Sequence, residues 1–224
     1  VCSSDLFDLT RVVTELSDFA DRAMDASIAD AITARVPDAQ PAGMIALALG
    51  KHGAQELNYS SDIDPILLYD PQLLPRRERD EPGEAAQRVA RSLMELMSHV
   101  DHEGYVFRVD LRLRPDGRLG EICLALAAAK KYYGTRGRDW ELQMLIKARV
   151  AAGETGPGRA LLEYVDPLIY ATSLDFSAIE AVSAARPSLP AGSCALPPSK
   201  TKRSASRRCV SAAARRTASS PIVR

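Results

Sequence analysis

Apolar residues recur along this chain in two different periods, and the period changes several times before residue 165. Over residues 7–35 they return every three or four positions with Asp and Arg between them, which predicts an amphipathic helix. The wholly apolar run over residues 44–49 predicts a strand that is buried on both faces. Residues 50–61 predict a polar loop, and residues 62–69 predict the next strand. Pro65 cannot donate to a ladder there, which predicts a bulge or an unpaired position.

The second half of the pattern adds helices and one more strand. Pro82 suits the first turn of a helix, and an apolar stripe continues that helix to residue 100. Residues 105–113 alternate between an apolar face and a face that is charged apart from Val106, which predicts a half-buried strand. Helical patterns follow over residues 123–133, 138–152 and 157–165. This order of elements predicts an α+β fold, a small mixed sheet with helices on one side.

Composition divides the chain of 224 residues into an acidic body and a basic tail. Residues 177–224 hold nine of the 29 basic residues and one of the 29 acidic residues, and Ser, Ala, Arg and Pro dominate them. We expect this tail to be disordered, or to be an out-of-frame translation. No aromatic residues stand between its basic residues, so nucleic-acid binding is not predicted. Residues 1–6 resemble a translated sequencing adapter, a possible scar, at the start of an N-terminal helical segment that we place over residues 1–40.

The remaining composition excludes several classes of protein. The four cysteines are far apart, which indicates neither a zinc site nor a disulfide framework. No apolar run approaches the ~20 residues that cross a membrane, and the N-terminus lacks the pattern of a secretory signal. We therefore predict a cytoplasmic protein without a membrane partner.

Candidate chemistry begins with two carboxylates that are one residue apart, Asp62 and Asp64. In a strand these side chains project from the same face, ~7 Å apart at about 3.3 Å per residue. Two neighbouring carboxylates repel each other unless a cation lies between them, and magnesium is held in this way together with substrate phosphates. The alternative is a turn or a solvated sheet edge.

A third carboxylate, Asp110, lies on the charged face of the strand predicted over residues 105–113. If the two strands are neighbours, three carboxylates suffice for two metal ions ~4 Å apart, a spacing that suits phosphoryl and nucleotidyl transfer. The flanking Arg108, Arg112 and Arg114 match phosphate geometry. The alternative is a set of cross-strand salt bridges on a hydrated face, which contribute little to stability.

The loop before the paired carboxylates contains Gly50 and Gly53, which permit close approach of the backbone to a ligand. Its N–H groups are candidate phosphate donors, and Lys51 and Ser61 are candidate phosphate contacts. A Gly-x-x-Gly pattern alone is usually only a turn. Its position between an apolar strand and the Asp-x-Asp pair is what favours a ligand site here.

Four segments resemble one known family in the right order. They are residues 50–64 (GKHGAQELNYSSDID), 107–115 (FRVDLRLRP), 137–141 (GRDWE) and 146–149 (IKAR). Together they resemble the motifs of the bifunctional glutamine synthetase adenylyltransferase/adenylyl-removing enzymes, which belong to the DNA polymerase β-like nucleotidyltransferase superfamily. The resemblance covers about residues 40–182, and it implies a nucleotidyltransferase domain over residues 41–176.

The resemblance also implies a site and its ligands. By it, Asp62, Asp64 and Asp110 are the catalytic and metal-binding residues, and the cofactor is Mg²⁺. Nucleotide and phosphate contacts fall on Gly50, Lys51, Gly53, Ser61, Arg112 and Lys147. The implied partners are glutamine synthetase, ATP or ADP, phosphate and a PII-type signalling protein.

Details of the motifs are more similar to the N-terminal copy of the domain, the adenylyl-removing half. That half removes AMP from a tyrosine of glutamine synthetase by phosphorolysis, which gives ADP. The alternative within the class is the adenylylating half, which uses ATP and the same carboxylates. Alternatives outside it are a non-catalytic regulatory or interaction domain, and a fragment that does not fold stably.

This chain departs from the family pattern at three positions near the site. His52 and Ala54 stand where the family usually has Leu and Gly, and Pro65 stands where it has an aliphatic residue. Because Ala lacks the freedom of Gly at positive φ, we expect a less well formed phosphate loop at Ala54.

Overall fold

The computed structural model describes residues 7–170, which all lie within one compact unit. The predicted tail over residues 177–224 and the predicted scar over residues 1–6 lie outside the described residues. The described helices are α1 (Leu9–Thr33), α2 (Gly50–Gly53), α3 (Pro82–Ser98), α4 (Leu126–Thr135), α5 (Asp139–Met144) and α6 (Thr155–Ile169). The strands are β1 (Met44–Ala48), β2 (Pro65–Tyr69), β3 (Cys123–Ala125) and β4 (Arg149–Gly153). Short 3₁₀ turns occupy Gly117–Leu119 and Leu145–Lys147.

The four strands form one mixed sheet in the order β3-β2-β1-β4. Strand β1 is antiparallel to β2 and β4, whereas β2 is parallel to β3. The small mixed sheet of the predicted fold class is therefore confirmed. Every residue of β1 and β2 is buried, as the two apolar runs predict.

Pro65 is the first residue of β2 and lies opposite Ala48 in a regular register. Of the two alternatives predicted at this proline, a bulge or an unpaired position, the bulge is wrong, because the start of a strand tolerates a residue without an N–H. The irregularity of the sheet lies instead between β1 and β4, where the register shifts at Ala46 and Leu47.

Helices cover both faces of the sheet, so the prediction of helices on one side is wrong. On one face, α1 and α3 pack with a cluster that includes Met24, Ala46 and Leu67. On the other face, α4 and α6 pack with a cluster that includes Ile45 and Leu68. Successive side chains of a strand point to opposite faces, so a wholly apolar strand needs cover on both sides.

Helix α1 is part of this core and not a separate segment. Asp8 caps its N-terminus by accepting a hydrogen bond from the Arg11 N–H at 2.7 Å. Its apolar stripe packs against α3 and β4. The predicted N-terminal helical segment therefore shares its core with the domain predicted from residue 41 onward. None of the helices within residues 7–170 is long and apolar enough to cross a membrane.

Several predicted elements differ from the observed structure; the helix predicted over residues 123–133, for example, begins with strand β3 at Cys123–Ala125. Residues 105–113 form no strand, although Phe107 and Leu111 are buried as the alternation requires. The segment makes a single parallel bridge, between Val109 and Ile63. The helix predicted over residues 138–152 divides into α5, a 3₁₀ turn and β4, because β1 takes its second neighbour from this segment.

Candidate active site

The paired carboxylates lie just before β2 and not within it, contrary to the strand predicted from residue 62. Between them, the Ile63 side chain is fully buried in the core. The Ile63 N–H donates to the Arg108 carbonyl at 3.0 Å, and the Asp110 N–H donates to the Ile63 carbonyl at 2.9 Å. This pair of backbone hydrogen bonds brings the third predicted carboxylate next to the first two.

The three carboxylates share a surface pocket of about 450 Å³. Its lining consists of Gly50, Lys51, Ser60, Ser61, Asp62, Asp64, Arg108, Asp110 and Arg112. Seven of the nine residues predicted for the site are therefore brought together. Gly53 and Lys147 are the two that do not line it.

Arginines engage two of the three carboxylates. Arg108 forms an ion pair with Asp62, and its guanidinium also donates to the Ser60 carbonyl at 2.7 Å and to the Tyr105 hydroxyl at 2.9 Å. Arg112 donates from its backbone N–H to Asp110 at 2.9 Å and pairs with it through the guanidinium. These hydrogen bonds from Arg112 lower the pKa of Asp110 in spite of its partial burial.

Asp64 is in a different electrostatic position. Partial burial raises its pKa, and the negative charges of Asp110 and Asp62 raise it further. Its backbone carbonyl accepts a hydrogen bond from the Leu49 N–H at 3.2 Å, which ties it to the end of β1. Gly50, at φ +55°, is so close that a Cβ there would lie 3.5 Å from Asp64 Oδ2. Of the three carboxylates, Asp64 is thus the one whose ionised form a cation in the pocket would stabilise most.

The donor set of the pocket suits a hard cation such as magnesium, which prefers carboxylate oxygens. Within residues 7–170, however, no group of three or more Asp, Glu, His or Cys side chains is arranged to hold a metal ion. Asp62 and Asp110 are instead paired with Arg108 and Arg112. The three carboxylates fit a magnesium ion by their chemistry and their shared pocket. To bind it, Asp62 and Asp110 would have to separate from Arg108 and Arg112.

Gly53 has a packing role in this structure. A Cβ at this position would lie 2.0 Å from the Lys147 carbonyl oxygen. Helix α2 and the 3₁₀ turn Leu145–Lys147 therefore meet here at a distance that only glycine allows. The Lys147 ammonium pairs with Glu56 at 3.1 Å on the surface. The interpretation of Gly53 and Lys147 as ligand contacts finds no support in the pocket lining.

Ala54 and Arg114 also differ from expectation. Ala54 has φ −79°, an ordinary helical value, so the impaired loop predicted from the missing glycine is wrong. The positive φ occurs one residue later, at Gln55. Arg114 is buried and donates to the carbonyls of Leu111, Gly120 and Glu121. It therefore holds the loop after the site and does not face the pocket.

The sequence reasoning missed a cluster of Asp21, His52 and Arg149, in which His52 is buried and its two charged neighbours are partly buried. His52 Nε2 lies 2.7 Å from Asp21 Oδ1, and Arg149 Nη2 lies 2.9 Å from the same oxygen. One signal was available in the sequence. Asp21 follows Ser17 by four positions and precedes Met24 by three, so it lies beside the buried stripe of α1, where a carboxylate needs a cationic partner.

A small mixed sheet that presents three carboxylates and two arginines around one pocket is consistent with the class of nucleotidyltransferase domains. Comparison with known proteins specifies the family. The family model described as glutamate-ammonia ligase adenylyltransferase matches residues 2–164, and the chain belongs to this family. The predicted resemblance is thereby confirmed.

Three curated relatives carry the name bifunctional glutamine synthetase adenylyltransferase/adenylyl-removing enzyme. The protein of Caulobacter vibrioides is 42% identical over 185 residues, which are 78% of this chain and 19% of that protein. The protein of Xanthobacter autotrophicus is 41% identical over 189 residues, 80% of this chain and 19% of that protein. The protein of Rhodopseudomonas palustris (strain HaA2) is 46% identical over 151 residues, 65% of this chain and 15% of that protein. The chain thus spans about a fifth of the length of the relatives that it matches.

Proposed function

We propose that this chain provides the catalytic pocket for nucleotidyl transfer on glutamine synthetase, in the direction that removes AMP from its modified tyrosine. The observation that carries the proposal is the convergence of Asp62, Asp64 and Asp110 on one pocket with Arg108 and Arg112. Membership of the family and the names of the relatives supply the substrate. The motif details that are similar to the N-terminal copy support the adenylyl-removing direction.

The proposed reaction is an in-line displacement at phosphorus. An oxygen of inorganic phosphate attacks the phosphorus of the adenylyl-tyrosine, the bond from phosphorus to the tyrosine oxygen breaks, and the phenolate takes up a proton. The products are ADP and unmodified tyrosine. Little covalent chemistry is required of the protein, so positioning and charge neutralisation carry the rate.

Each side chain of the pocket has a role in this proposal. Arg108 and Arg112 exchange their carboxylate partners for phosphate oxygens, which the planar guanidinium contacts equally well. Gly50, Lys51 and Ser61, which line the same pocket, also contact the phosphates in this proposal. Asp62, Asp64 and Asp110 would hold magnesium, which when bound neutralises charge on the attacking and leaving oxygens.

The experiment measures ADP release from adenylylated glutamine synthetase and phosphate, with magnesium, by the full chain. We expect Asp110→Asn to lower the rate by at least about 100-fold, because it removes a charge that acts in the transition state. Glu163→Gln on the exposed face of α6 is the matched control and should keep the wild-type rate. A full rate in Asp110→Asn refutes the metal role. AMP incorporation from ATP into unmodified glutamine synthetase, without ADP release, selects the adenylylating direction.

A second candidate function is a non-catalytic regulatory domain that binds the same partners. The observation that favours it is that Asp62 and Asp110 are both ion-paired with arginines. This candidate predicts that the chain binds glutamine synthetase while both assays show no turnover. The PII-type partner and the cytoplasmic location stay predictions, and co-purification with a PII-type protein tests the former.

A further inference from the structure

The cluster of Asp21, His52 and Arg149 joins three elements that are far apart in sequence. Asp21 belongs to α1, His52 to α2 and Arg149 to β4. The His52 side chain is completely enclosed. Its Nε2 lies 2.7 Å from Asp21, while Arg149 pairs with Asp21 and donates to the His52 carbonyl at 3.1 Å. Arg149 thus contacts both the Asp21 carboxylate, which accepts the hydrogen bond from the imidazole, and the backbone carbonyl of His52.

One hydrogen bond orients the imidazole. The Asp21 carboxylate is an acceptor, so His52 Nε2 donates to it. His52 Nδ1 is buried and has no hydrogen-bond partner among the described residues. The imidazole is therefore a directional connection between α2 and α1.

This connection matters for the pocket because α2 is only four residues long. A single helical turn has almost no stability of its own, since nucleation fixes several dihedrals for one hydrogen bond. Gly50 and Lys51, the first two residues of this turn, line the pocket, and His52 follows them directly. The position of the pocket-facing residues is thus determined by what holds the turn from behind.

We propose that His52 is a positioning residue, which holds Gly50 and Lys51 against the carboxylates through its hydrogen bond to Asp21. The inference rests on the proposed function, because it assigns to this turn the contact with substrate phosphate. His52 itself touches no substrate in this proposal, since its side chain faces the interior. The role of His52 differs from that of Gly53. His52 connects α2 to α1 by a hydrogen bond, whereas Gly53 allows α2 to approach the backbone at Lys147.

The test combines two variants that separate the hydrogen bond from the packing volume. His52→Leu keeps an apolar side chain of similar size without a donor, and His52→Gln restores an amide donor toward Asp21. Binding of ADP with magnesium is measured by calorimetry on the full chain. We expect His52→Leu to bind about tenfold more weakly, the equivalent of one charge-assisted hydrogen bond to phosphate, and His52→Gln to recover most of this loss.

Amide hydrogen exchange supplies a second measurement that requires no ligand. Exchange over residues 51–54 should accelerate in His52→Leu and return toward the wild-type rate in His52→Gln, while exchange in α3 stays unchanged. Wild-type exchange and affinity in His52→Leu overturn the proposal, as does a His52→Gln variant that behaves like His52→Leu. If His52→Leu fails to fold, Asp21→Asn removes the same acceptor charge and takes its place.

Failure of the proposed function gives a different result. If the wild-type chain binds no ADP with magnesium, the proposed function fails, whereas the exchange measurement still decides whether His52 holds the turn. If the wild type binds and Asp64→Asn does not, the pocket is the binding site, and only the His52 variants decide the inference.

Discussion

The close approach of α2 to the backbone at Lys147 makes Gly53 a position where one added methyl group has a large expected effect. A Cβ there would lie 2.0 Å from the Lys147 carbonyl oxygen and 2.7 Å from that of Ala48. Both are backbone atoms, which cannot move aside as the end of a side chain can. Overpacking of this kind costs about 1–3 kcal/mol, and the better helix propensity of Ala returns at most about 1 kcal/mol. We therefore expect Gly53→Ala to lower the free energy of unfolding by about 1–2 kcal/mol.

Gly156→Ala is the matched control, because it adds the same methyl group in the first turn of α6. No heavy atom lies within 4 Å of a Cβ at that position, and φ is not positive. We expect this variant to gain about 0.5–1 kcal/mol from the reduced entropy of the unfolded chain.

Urea unfolding followed by circular dichroism measures both variants. With a slope of about 2 kcal/mol per molar urea, the midpoint of Gly53→Ala should fall by roughly 0.5–1 M and that of Gly156→Ala should rise by roughly 0.3–0.5 M. A Gly53→Ala midpoint at or above the wild-type value refutes the packing role. Gly53 would then have to be reconsidered as a ligand contact.

Three further predictions concern charges in and around the site. Asp64→Asn should raise the free energy of unfolding at pH 7 by about 0.5 kcal/mol, because burial, Asp110 and Asp62 raise the pKa of Asp64 and so disfavour its ionised form in the folded state. Urea unfolding at acidic pH, where Asp64 is protonated, should show no such gain. Burial opposes ionisation of Asp21 too, but hydrogen bonds from His52 and Arg149 outweigh it and lower its pKa below the ordinary value of 3.8. This contribution to stability is present above pH 3.8 and is lost as the pH falls through the lower folded pKa. Asp21→Asn should therefore destabilise the protein by about 1–3 kcal/mol at pH 7 and progressively less below pH 3.8. An equal loss of stability at pH 7 and below pH 3.8 would contradict this reasoning. Arg114→Met should cost about 2–4 kcal/mol in thermal unfolding, because carbonyls of the loop lose a buried donor, and an unchanged melting temperature would contradict this role.

Local patterns were sufficient to predict the elements whose stability depends on their own apolar faces. Helices α1 and α3 and strand β1 are found where periodicity places them. The segment over residues 105–113 shows the limit of this reasoning. Its alternation is satisfied by packing Phe107 and Leu111 into the core, and no local signal shows whether a strand partner is present. Strand β4 was missed for the related reason that its partner, β1, lies about a hundred residues earlier in the chain.

The candidate site was predictable where neighbouring residues determine it and not where distant ones do. Asp62, Asp64 and Asp110 converge because two short segments lie side by side, as their polar faces indicated. A motif cannot show whether a glycine faces a ligand or a carbonyl, and the backbone contact of Gly53 with Lys147 was therefore not predicted. The pairing of His52 with Asp21 spans 31 residues of sequence and exists only in the folded chain.

The two backbone hydrogen bonds of Ile63 have a consequence for how this pocket can change. They join the segment of Asp62 and Asp64 to that of Asp110 through main-chain atoms alone. These two hydrogen bonds therefore use no side chain at positions 62, 64, 108 and 110. Substitutions at these positions leave the main-chain donors and acceptors of this connection in place. The main chain around the buried Ile63 thus connects the two segments, while the side chains on either side of it determine the charge of the pocket.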